Sequence, residues 1–144
     1  MGENMKEKNE IIASLMINQT MNKQINQLIN ETKNRYNLKL TKKIIYEESV
    51  RIFVNDYKTE SISFDELIGI SKSKAGKIAN RSELLNVPIR VNCDKSIYDL
   101  LLTTTRTLEN DYGFINVASS SLVFWGLNKI LKINDWLKVM SYRN

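Results

Sequence analysis

The chain has 144 residues and carries 21 lysines and arginines against 16 aspartates and glutamates, with no histidine, one cysteine and one proline. Lacking histidine and a second cysteine, it cannot assemble a structural zinc site, an internal disulfide, a Ser-His-Asp or Cys-His nucleophile, or a histidine-based nuclease or relaxase centre. The formal charge of +5 leans toward a polyanionic partner, and no stretch approaches the roughly 18 apolar residues of a membrane span, so the chain reads as a cytoplasmic protein with no membrane contact.

Residues 1–11 are polar and mixed in charge and read as a disordered tail. Residues 13–18 then alternate, with Leu15 and Ile17 on one side and Ser14, Met16 and Asn18 on the other, which predicts a short strand. Thr20 is placed to cap a helix with Met21, Ile25, Leu28 and Ile29 on one face, ending near Arg35. After a polar connection, Thr41 opens a second helix, whose stripe of Ile45, Ser49, Ile52 and Phe53 runs to about Tyr57.

Residues 58–86 are long for a connection and are expected to form a helical linker. Ser63 and Glu66 have the spacing of a capping box, opening a short helix that Gly69 breaks, and residues 73–85 suit another. The stretch 64–78 also has helix-turn-helix spacing, but Asp65 stands where that motif packs a small residue. Lys72, Lys74, Lys77 and Arg81 have no acid between them; a solvated face and a phosphate-contacting one are both open readings.

The alternation returns at residues 87–93, with Val87, Ile89, Val91 and Cys93 inward and Pro88, Arg90 and Asn92 outward. Asp94 is placed to cap a helix bearing Ile97, Leu101, Thr104 and Leu108, and a turn falls at Asp111-Tyr112-Gly113. Ser119, Ser120 and Ser121 open a last helix with Leu122, Val123, Leu127, Ile130 and Leu131. Residues 133–144, with Trp136, Leu137, Val139 and Met140, extend or follow it as a C-terminal extension. The chain therefore repeats itself: the strands overlay at an offset of 74 and the second helices at 77, where Ser49 meets Gly126 and Phe53 meets Ile130.

Strand, helix, turn, helix, given twice, resembles the ribbon-helix-helix (MetJ/Arc-type) DNA-binding family. It does so in the tandem two-copy form of the TraY-type relaxosome accessory proteins of conjugative plasmids. The resemblance covers residues 12–57 and 87–132. It implies a mainly α fold with a short two-stranded antiparallel ribbon, folded as an intramolecular pseudo-dimer, because one copy is too small to bury its own apolar face. It also implies a protein without catalysis or cofactor that reads the major groove of double-stranded DNA with the ribbon.

Carried over by position, the base readers are Ser14, Met16 and Asn18 on one strand and Pro88, Arg90 and Asn92 on the other. Thr41, Lys42 and Lys43, and then Ser119, Ser120 and Ser121, are the phosphate clamps at the two second-helix N-termini. Two departures stand out: the connections between helices are longer than the family's tight turn, and Arg90 is the one basic residue among the outward strand positions. The expected roles are assembly with a relaxase or another plasmid-transfer protein at an origin of transfer, with oligomerisation on DNA, or action as a repressor, antitoxin or partition protein. A helical protein-interaction module without DNA binding is the competing reading.

Overall fold

A computed structural model of the chain describes residues 9–72, 85–113 and 117–142. In chain order they form β1 (Glu10–Ile17), α1 (Gln19–Tyr36), α2 (Lys42–Lys58), α3 (Phe64–Lys72), β2 (Val87–Asp94), α4 (Lys95–Tyr112), α5 (Ser119–Ile133) and α6 (Trp136–Tyr142). The fold is mainly helical with one two-stranded sheet. Among the described residues no helix is long and apolar enough to cross a membrane.

The two strands pair with each other, antiparallel, placing Glu10 opposite Asp94, Ser14 opposite Arg90 and Ile17 opposite Val87. Period-two alternation then divides the ribbon into two faces. Ala13, Leu15, Ile17, Ile89, Val91 and Cys93 are buried, while Ile12, Ser14, Met16, Pro88, Arg90 and Asn92 are exposed. A lone two-stranded sheet is marginal in water, and the apolar face here is covered: α4 touches both strands, α2 packs on β2 and α5 on β1. The strand begins at Glu10, so residues 10 and 11, expected in the tail, belong to it; β2 supplies a ladder partner that local composition could not reveal.

Asn18, rather than Thr20, caps α1, its side chain accepting the Met21 N–H at 2.8 Å. Thr41 caps α2 in the same way, through the Ile44 N–H at 3.2 Å. The caps of α4 and α5 are Asp94 and Ala118, neither with a side-chain bond to the helix. α1 and α4 both stop at a residue in the left-handed region, Asn37 at φ 55° and Gly113 at φ 66°, residue types that tolerate it.

These caps give the repeat its register. Asn18 and Asp94, and again Asn37 and Gly113, are 76 apart, whereas the starts of α2 and α5, Lys42 and Ser119, are 77 apart. The strand offset is thus 76 rather than 74. Alternation has period two and is satisfied by either value, so only the caps discriminate.

At the centre α2 and α5 cross with their backbones in contact: a Cβ added at Gly126 would overlap the Ser49 carbonyl oxygen. α2 is buried almost all round, including Glu47, Glu48 and Asp56. Its acids are partnered: Glu47 Oε2 accepts the Asp94 N–H at 2.8 Å, Glu48 lies 3.5 Å from Arg51, and Asp56 accepts the Tyr142 hydroxyl at 2.9 Å. Tyrosine-to-aspartate bonds also tie the far ends of the helices, Tyr36 to Asp135 and Tyr57 to Asp111, each at 3.0 Å.

Outside the two repeats, α3 opens on a reciprocal capping box between Ser63 and Glu66, both bonds 3.2 Å. It runs through Gly69 to Lys72, so the expected break at Gly69 is absent, as is any turn of a helix-turn-helix there. The rest of the predicted linker helix, with Lys74, Lys77 and Arg81, lies outside the described residues. α6 follows α5 after left-handed Asn134 and buries Trp136 and Val139 while leaving Leu137 and Met140 exposed.

Candidate nucleic-acid interface

The outward face of the ribbon collects residues from two distant parts of the chain because, among the described residues, β1 and β2 pair only with each other. Ser14 and Arg90 lie side by side at its middle, Met16 faces Pro88 toward one end, and Ile12 faces Asn92 toward the other. Arg90 is exposed and makes no hydrogen bond or ion pair with any described residue, which leaves its planar fork of five donors available to a ligand. Ile12 and Met16 are 68% and 45% exposed, so half of the face is apolar.

Of the expected base readers, Ser14, Met16, Pro88, Arg90 and Asn92 share this face. Asn18 does not: it lies past the end of β1, is 3% exposed, and spends its side-chain oxygen on the α1 cap. The corrected register also changes which positions correspond. With an offset of 76, Ser14 rather than Met16 takes the place of Arg90, Met16 matches Asn92, and Ile12 matches Pro88. Ile12 is a further residue of this face, lying in the first copy but just ahead of the strand expected at residues 13–18, although Ile11-Ile12 continues the alternation upstream of Ala13.

The expected phosphate clamps are less uniform. Lys42 is exposed at the first turn of α2, beside Thr41, whose hydroxyl is occupied by the cap. Lys43 is engaged: its ammonium sits 2.6 Å from Glu10 and 3.3 Å from Asp94, the opposed pair at the end of the ribbon. The hydrogen bond to Glu10 is the main reason its pKa lies above the ordinary lysine value, partial desolvation pulling the other way. At the other second helix Ser119 lies 3.3 Å from the Thr105 hydroxyl and Ser120 is part-exposed. Ser121 is fully buried and cannot present its hydroxyl to an external phosphate, because α5 turns that position into the core.

Cys93 belongs to the inner face. Burial, followed by the negative charges of Glu47 and Asp94, pushes its thiol up to about 11, so it stays protonated and apolar in the core near neutral pH. Among the described residues no group of three or more carboxylates and cysteines is placed to hold a metal ion. Neither a family model, nor a curated protein, nor a solved structure matches the chain.

Proposed function

We infer that the chain is a tandem ribbon-helix-helix protein, folded on itself as a pseudo-dimer, that binds double-stranded DNA by laying its ribbon in the major groove. The observation that carries this reading is the placement of Arg90, unpaired among the described residues, at the middle of an exposed antiparallel ribbon. A two-stranded ribbon fits the roughly 12 Å major groove, and a guanidinium there bonds bidentately to guanine O6 and N7.

A second relation supports the pseudo-dimer. On a pseudo-two-fold axis, equivalent residues must meet each other. Ser14 and Arg90, related by the offset of 76, are cross-strand partners, and Ser49 and Gly126, related by 77, touch where α2 crosses α5. The tyrosine-aspartate ties repeat the relation with the partners exchanged: the end of α1 is bonded to the residue pair after α5, and the end of α4 to the end of α2. Adenine N6 and N7 suit Asn92, and thymine methyls suit Met16, Ile12 and Pro88. Because Ser14 and Arg90 differ, the two half-sites read by such a face differ too.

Selection of bound fragments from the native replicon tests this. The protein should retain one site against excess random DNA, with affinity falling steeply with salt, and the neighbourhood of that site separates transfer origin, operator and centromere. Arg90→Ala should cost about 1–3 kcal/mol and relax preference at one base pair, while Lys42→Ala should weaken every sequence alike. The apolar half of the face favours a second reading, a protein-docking ribbon. That reading predicts no competitor-resistant binding to any fragment.

A further inference from the structure

We propose that Glu10 and Asp94 act as a carboxylate latch that holds Lys43 off the DNA backbone, so that the α2 end of the ribbon grips DNA more weakly than its other contacts allow. This rests on the DNA-binding reading above. Glu10 and Asp94 are directly opposed at the end of the ribbon, both on strand positions of the outward parity, and the Lys43 ammonium bridges them. Three charges of net −1 therefore sit where a backbone phosphate would pass the α2 N-terminus.

Among the described residues, the other end of the ribbon carries nothing comparable. At offsets of 76 and 77 the equivalents of Glu10, Asp94 and Lys43 are Asn86, Asn18 and Ser120, all uncharged. The ammonium can change partners at little cost, because all three side chains are part-exposed and surface ion pairs are weak. A phosphate and the carboxylates thus compete for one cation. Asp94 is fixed in place by the Glu47 carboxylate, which accepts its backbone N–H at 2.8 Å, so the competition is decided by side chains rather than by movement of the ribbon.

The test is the salt dependence of binding to a duplex of fixed sequence by the full chain, since the slope counts phosphates neutralised. The doubly neutral variant Glu10→Gln with Asp94→Asn keeps side-chain shape, and asparagine remains a good N-cap. Its slope should steepen by about 0.9, the increment of one phosphate on B-DNA, with several-fold tighter binding at low salt. Adding Lys43→Gln should abolish that steepening, whereas Lys43→Gln alone should change the wild-type slope less than Lys42→Gln does. An unchanged slope in the neutral variant, or a steepening that survives without Lys43, overturns the latch while leaving DNA binding intact. Absence of salt-sensitive binding by the wild type overturns the functional reading and the latch with it.

Discussion

At the scale of single residues, two asparagines that look alike in sequence do opposite work. Asn92 stands on the exposed face, while Asn18 closes the first turn of α1 from a buried position. Asn18→Ala should therefore destabilise the fold by about 1 kcal/mol, the ordinary cost of losing such a cap, and leave base preference at the recovered site unchanged. Urea titration and competition binding read the two effects separately. The distinction was not legible because strand alternation and an N-cap make the same demand on a polar residue at that position; only the place where β1 ends separates them. Arg90 was legible, since its outward parity within residues 87–93 depends on neighbours in sequence alone. The engagement of Lys43 was not, because its partners lie 33 and 51 residues away.

At the scale of elements, the four helices of the two strand-helix-helix units, α1, α2, α4 and α5, were read nearly whole from their apolar periods. α1 and α2 end one residue beyond expectation, and the left-handed stop at Gly113 falls where the turn was predicted. What periodicity could not supply is how closely α2 and α5 approach. Ser49 and Gly126 read as matching small residues in a repeat, and the fold makes them one contact, with no room for a methyl group. Gly126→Ala should lower the melting temperature by on the order of 10 °C, because the obstacle is backbone and the overpacking cost is at least 1–3 kcal/mol. Gly69→Ala provides the contrast. Its Cβ would meet nothing within 4 Å, on an exposed stretch of helix, and the substitution should be neutral or stabilising by up to about 1 kcal/mol. The expected break at Gly69 failed for the same reason: a single glycine weakens a helix by about that amount, which the Ser63–Glu66 capping box and burial of Leu67 offset.

At the scale of the whole molecule, the absence of histidine and the modest charge narrow the chemistry, and the order of elements is the more informative feature. Two strands about 76 residues apart in sequence form one ribbon, and the helices between and after them close a single core beneath it. The repeat is imperfect where a reading face would be: Arg90 against Ser14, Asn92 against Met16, and a charged triad at one end against Asn86, Asn18 and Ser120 at the other. α3 and α6, which no repeat accounts for, contribute Leu67, Trp136 and Val139 to the core rather than to the ribbon. The most direct test of DNA binding through the ribbon is the change in backbone amide chemical shifts when labelled protein is titrated with the recovered duplex. If the ribbon lies in the groove, the largest changes fall on residues 12–16 and 88–92 and at the first turns of α2 and α5, with α3 and α6 unmoved. Shifts concentrated on α3 and α6, or none on the ribbon, would contradict it.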